Sequence, residues 1–228
     1  MKVLIVAAHP DDEVLGCGGT MARLASEGHE VYIAILGEGI TSRYKDPDEA
    51  DMALVKSLHA ISRKVAEHLG AKDLFMYSLP DNRFDSIPLL DVVKVVEALV
   101  EQVQPEVIYT HHGGDLNVDH QMVNRAVLTA TRPLQGQVVK DIYAFEIPSS
   151  TEWAFQSFTP VFKPNTFVDI SVSIDTKIAA MEFYESEARA FPHPRSPKAL
   201  RAIADRWGSV VGCGATEAFE LIRSVRKG

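Results

Sequence analysis

The chain is poor in cysteine and has no long apolar run, no excess of basic charge and no phosphate-binding glycine fingerprint. Only two cysteines, Cys17 and Cys213, occur among 228 residues, too few for a disulfide framework. No apolar stretch reaches the roughly 20 residues of a membrane span. The opening run Met1-Lys2-Val3-Leu4-Ile5-Val6 passes straight into charged residues, without the cleavage site of a signal peptide. A cytoplasmic protein is therefore expected. Lys and Arg number 23 against 31 Asp and Glu, a net charge of −8, which argues against a nucleic-acid binder because that role needs a basic face. No G-x-G-x-x-G follows the first apolar run, and acids stand where a phosphate would sit, so a non-catalytic nucleotide-binding module fits poorly. Without repeats, low-complexity tracts or a linker, residues 1–228 read as a single domain with a full core.

What is present is an alternation of short apolar runs and helical spacing. Lys2 to Ala8, Val31 to Leu36, Leu74 to Tyr77, Glu106 to Thr110 and Asp141 to Phe145 read as strands. Between them, Gly16 to Glu27, Asp48 to Leu69, Leu89 to Val103 and Asp119 to Ala130 read as helices, with Gly28 and Gly70 closing two of them. Such alternation gives right-handed βαβ units, hence an α/β, Rossmann-like fold with a mostly parallel sheet and helices on both faces. After Pro148 the pattern weakens into a C-terminal extension. A strand is expected near Thr166 to Ile170, and helices near Asp175 to Ala190, Pro197 to Trp207 and Glu217 to Arg223.

In a sheet of order 3-2-1-4, strands one and four are neighbours, and their carboxyl ends form the crevice where ligands bind. Strand one ends in His9-Pro10-Asp11-Asp12-Glu13, and strand four leads into His111-His112-Gly113-Gly114-Asp115-Leu116-Asn117-Val118-Asp119-His120. The two densest His/Asp clusters thus fall at one place. Imidazole nitrogen and carboxylate oxygen together suit Zn²⁺ or a related divalent ion, and a catalytic zinc takes about three protein ligands plus an open position. His9 and Asp12, three apart across a proline turn, can face one point, and His120 can supply the third ligand. One carboxylate must stay off the metal to take a proton from water. Asp11, beside a ligand, is the choice, and spacing alone leaves Glu13 open. Plainer readings exist for several neighbours. Asp12 and Glu13 also suit a first helical turn, Asp119 suits an N-cap, and His111 and His112 suit backbone groups at the strand end. Cys17 reads as a small buried residue, and His29, His59 and His68 as structural.

The stretches AHPDDEVLGCGGT and HHGGDLNVDH resemble the PIG-L/LmbE-like family of metal-dependent N-deacetylases, and the likeness extends diffusely through most of the chain. The resemblance implies a Rossmann-like fold and hydrolysis of an N-acetyl group, usually on a glucosamine-type sugar. It implies His9, Asp12 and His120 as zinc ligands and Asp11 as the general base, in agreement with the reading from spacing. Many members carry a histidine, credited with oxyanion stabilisation, where this chain has Asn117. Asn can donate a hydrogen bond but cannot act as an acid, so the leaving amine needs another donor. His193, held between Pro192 and Pro194, is a candidate of suitable pKa. Disaccharide deacetylases of the family similarly use a C-terminal histidine delivered from a neighbouring subunit, which is compatible with a homo-oligomer here. The resemblance also points to Asp81 on sugar hydroxyls. Arg43 and Arg83 lie in loops at the same sheet edge and suit phosphate or carboxylate. The expected partner is thus a small N-acetylamino sugar, free or as a glycan, phosphosugar or sugar nucleotide. An amidase of the same site acting on a thiol conjugate is the alternative.

Overall fold

The computed structural model describes residues 1–46 and 49–226. Seven strands, β1 (Lys2–Ala7), β2 (Glu30–Gly37), β3 (Asp73–Leu79), β4 (Val107–His111), β5 (Asp141–Phe145), β6 (Thr166–Asp169) and β7 (Thr216–Ser224), form one sheet of order β3-β2-β1-β4-β5-β7-β6. The first five run parallel, and β7 runs antiparallel to both β5 and β6. The expected adjacency of strands one and four is present, with Val3 beside Val107 and Val6 beside Thr110.

The helices are α1 (Asp12–Ser26), α2 (Met52–His68), α3 (Leu89–Val103), α4 (Val118–Ala130), α5 (Ile174–Phe183) and α6 (Pro197–Val211). Alternation along β1 places them. Val3, Ile5 and Ala7 join the core beneath α1, α2 and α5, while Leu4, Val6 and Ala8 join the core beneath α3 and α4. Burial on both faces explains why β1 reads as a continuous apolar run.

Three sequence expectations change. The helix expected over Glu217 to Arg223 is a strand, because β5 and β6 offer backbone partners on both sides: Phe219 pairs with Phe145 and with Thr166. Its apolar spacing fits either period, so tertiary pairing decides. The helix expected to run to Ala190 ends at Phe183, within α5. The helix expected from Asp48 begins at Met52, where the Asp51 carboxylate accepts the Ala53 N–H; Asp48 lies outside the described residues.

The glycines after the acidic turn serve packing. A Cβ on Gly16 would stand 2.4 Å from the Phe145 ring, and one on Gly19 would stand 2.8 Å from Ile170. Close approach brings α1 down onto β5 and the C-terminal segment. The helix kinks at Cys17 (φ −151°, ψ 27°). There Glu217 of β7 accepts the N–H groups of Gly19 and Thr20 at 3.0 and 2.7 Å, and Lys177 of α5 donates to the same carboxylate at 2.6 Å.

Candidate metal centre and active site

The turn after β1 does the positioning. Asp11 adopts a left-handed conformation (φ 102°), sparsely populated for a non-glycine residue. Its N–H donates to Glu13 Oε2 at 3.0 Å, and Glu13 in turn accepts from the buried Tyr184 hydroxyl at 2.7 Å. This reversal turns Asp12 back toward its own strand, where Asp12 Oδ2 accepts the His9 N–H at 2.9 Å. Asp11 is left on the wall of a cleft of about 570 Å³ that opens at the carboxyl edge of the sheet.

His9, Asp12 and His120 converge on the floor of that cleft, with one ligand atom from each lying within 4.8 Å of the others. Asp12 Oδ2 is 3.3 Å from His9 Nδ1 and 3.2 Å from His120 Nε2. The far nitrogens are backed by carboxylates. His9 Nε2 lies 2.8 Å from Asp119 Oδ2 and 3.3 Å from Asp81 Oδ1. His120 Nδ1 lies 3.0 Å from Asp115 Oδ1, close enough for an ion pair though off the hydrogen-bond axis. Carboxylates behind the far nitrogens are what metal-ligating histidines usually have.

The electrostatics favour a cation. Burial opposes charge on His120, yet Asp12 and Asp115 outweigh it and push its pKa up to about 9. Burial pushes Asp12 up, but His120 and His111 hold it well below the usual carboxylate range. Asp115 is likewise pushed up by burial and brought down to about 2 by His120, Ser150 and Thr151. Two imidazole nitrogens and a carboxylate oxygen, ringed by further acids, suit Zn²⁺ by donor chemistry.

Asp81, Arg43 and Asn117 line the cleft, as expected of substrate contacts, whereas Arg83 and His193 are not among its lining residues. The His193 ring packs edge-on against Trp153 at 5.7 Å, and its Nδ1 accepts the Arg195 N–H. Asp81 ties two loops together by accepting the Ser42 N–H at 2.9 Å. Asp119 is not the N-cap of α4. Asn117 is, accepting the Asp119 N–H at 2.8 Å, which frees the Asp119 side chain to back His9. His111 meets a backbone group, its Nε2 accepting the Ala8 N–H at 2.8 Å, and Cys17 is buried away from the cation group.

Sequence reasoning missed Arg195, two residues beyond His193. Its Nη1 donates to Asp11 Oδ2 at 2.6 Å, its Nε donates to Ser149 Oγ at 2.8 Å, and it lines the cleft. The surplus of acids in the two motifs was the available signal, since buried carboxylates call for a cation besides the metal.

Residues 4–131 match the PIG-L family, described as GlcNAc-PI de-N-acetylase. The chain belongs to this family. Among relatives, it is 29% identical over 190 residues to the deacetylase YaiS of Escherichia coli (strain K12), covering 81% of this chain and 90% of that protein. It is 27% identical over 236 residues to the 1D-myo-inositol 2-acetamido-2-deoxy-alpha-D-glucopyranoside deacetylase of Mycobacterium sp. (strain JLS), covering 86% of this chain and 77% of that protein. Among solved structures, N,N'-diacetylchitobiose deacetylase from Pyrococcus horikoshii superposes with a TM-score of 0.77 at 21% identity, covering 97% of this chain and 84% of that one. The 4-carboxy-2-hydroxymuconate hydratase GalB of Pseudomonas putida KT2440 does so with 0.76 at 22%, covering 100% and 98%. The structural likenesses show the fold, which PIG-L members share with at least one protein named for other chemistry. Among the described residues no helix is long and apolar enough to cross a membrane.

Proposed function

We propose that this chain is a zinc-dependent hydrolase that removes the N-acetyl group from an N-acetylamino sugar or its conjugate, releasing acetate. The observation that carries the proposal is the buried His9–Asp12–His120 donor set on the cleft floor, with the Asp11 carboxylate beside it. Family membership and the mycobacterial relative's named substrate support an acetamido sugar.

His9 Nδ1, Asp12 Oδ2 and His120 Nε2 would hold the metal. Bound there, zinc lowers the pKa of a water molecule and polarises the amide carbonyl. Asp11 takes a proton from the attacking water as its oxygen bonds to the acyl carbon and the carbonyl π pair moves onto oxygen. Collapse then breaks the C–N bond. The nitrogen takes the pair, Asp11 returns its proton to that nitrogen, and the free amine leaves with acetic acid, which loses its remaining proton to become acetate. Burial holds the Asp11 carboxyl well above the usual carboxylate range, against the pull of Arg195, which suits a group that must both take and give a proton. His193 packs edge-on against Trp153 of the cleft wall, whereas Asp11 lies beside the donor set, and both proton transfers are assigned to Asp11 within one chain. Asp81, Asn82 and Arg43 supply polar groups for sugar hydroxyls or an anionic substituent.

The test is acetate release from a panel of free, phosphorylated, nucleotide-linked and glycan N-acetylamino sugars, with a thiol-conjugate amide as the competing class. Chelation is expected to abolish release and zinc to restore it. Full activity in chelated protein, or turnover of the thiol conjugate alone, contradicts the proposal.

A further inference from the structure

We infer that Arg195 donates a charged hydrogen bond to the oxyanion formed on the amide carbonyl; the inference rests on the deacetylase reading above. Three contacts fix its guanidinium. Nη1 donates to Asp11 Oδ2 at 2.6 Å and lies 3.5 Å from Glu187 Oε2, and Nε donates to Ser149 Oγ at 2.8 Å. Ser196, the next residue, caps α6 by accepting the Ala199 N–H at 3.1 Å, which anchors the loop. The planar fork then holds Nη2 beside Nη1. Among the described residues Nη2 has no hydrogen-bond partner, and Arg195 lines the cleft.

Two other polar side chains near the site, Asn117 and His193, are less well placed for this role. Asn117 is neutral, its Oδ1 caps α4, and its Nδ2 donates to Asn82 Oδ1 at 2.9 Å. His193 is packed against Trp153. A charge-assisted donor is roughly twice as strong as a neutral one.

Charge flow during the reaction also favours Arg195. Before attack, the guanidinium faces the negative charge of Asp11. When Asp11 accepts the water proton, that charge disappears from the carboxylate and the π pair places it on the carbonyl oxygen. Arg195 therefore keeps a negative partner throughout, and its donors are set before the reaction starts, as electrostatic stabilisation requires. When the C–N bond breaks, the pair returns to the carbonyl and Asp11 gives its proton to nitrogen. Arg195 stays protonated at every stage, so it does not compete with Asp11 as the acid.

The test uses the zinc-loaded protein and a methylphosphonamide analogue of the N-acetylamino sugar, whose tetrahedral anionic group stands in for the oxyanion. Arg195→Ala should lose on the order of a hundredfold or more in analogue affinity and in kcat, with metal content, KM and affinity for the free amine product unchanged. Arg195→Lys should recover part of both, and so should added guanidinium with Arg195→Ala. Unchanged analogue affinity and kcat in Arg195→Ala would overturn the inference, as would a hundredfold loss in Asn117→Ala instead. If wild-type protein neither binds the analogue nor releases acetate, the deacetylase reading falls and takes this inference with it.

Discussion

Asp11 and Asp12 are adjacent, equally buried and electrostatically opposite. Asp12 faces three imidazoles, of His9, His111 and His120, and is held well below the usual carboxylate range, whereas Asp11 faces one guanidinium and burial pushes it well above. The left-handed turn at Asp11 separates them. Asp12 therefore suits permanent ligation and Asp11 suits proton transfer. The backing acids have a testable part in this arrangement. Asp119→Ala removes the carboxylate 2.8 Å from His9 Nε2 and should weaken metal binding about 10- to 100-fold, measured by competition with a chelator; unchanged affinity would show that Asp119 serves only its other contact, in which Oδ1 accepts the Phe84 N–H at 2.9 Å. His9→Ala, Asp12→Ala and His120→Ala should each lose the metal outright, and metal retained in any of them would remove that residue from the donor set. Much of this was legible in the sequence, because the spacing within each motif is local and strand order brings the motifs together. The surplus of acids called for a further cation but did not single out Arg195, because the pair is separated by 184 positions and no local pattern announces it.

Among the elements, the kinked helix α1 depends on the C-terminal strand. Glu217 joins β7 to α1 through two backbone N–H groups and to α5 through Lys177, whose side chain is 8% exposed. Glu217→Ala would leave the buried Lys177 charge with the Leu15 carbonyl but no counter-ion, and breaking a buried pair in this way costs about 3–5 kcal/mol. A large drop in thermal midpoint is expected, and a midpoint near wild type would show that Lys177 finds another partner. Gly16→Ala would press a methyl group into the Phe145 ring; overpacking of this kind costs about 1–3 kcal/mol, read in the same melts. The strand at β7 was not legible, because its apolar residues fit a helical period as well as an extended one and only its two neighbours decide. The first five strands were legible to within a residue or two, because burial on both faces makes β1, β2 and β4 compact apolar runs and the edge strand β3 still carries an apolar stretch from Leu74 to Tyr77.

For the whole molecule, the sheet order sets the site. Parallel strands bring the carboxyl ends of β1, β2, β3 and β4 to one edge, and each sends a loop with chemical groups into the cleft. That consequence follows from the alternation of strands and helices alone. The route of the C-terminal segment back to the cleft, which brings Glu187 and Arg195 to the same wall, does not. If one chain completes its own site, mixing His193→Ala with inactive Asp11→Asn should restore no activity beyond that of the His193→Ala component, and His193→Ala alone should turn over near the wild-type rate. Activity gained on mixing would bring His193 in from a second copy. The most direct measurement is the metal content and acetate release of Asp11→Asn beside wild type on the same N-acetylamino sugar. The expected result is about one zinc per chain in both, with release slower by about a hundred- to ten-thousand-fold in the variant. Near-normal release from Asp11→Asn at full zinc content, with the loss appearing in Glu13→Gln instead, would contradict it.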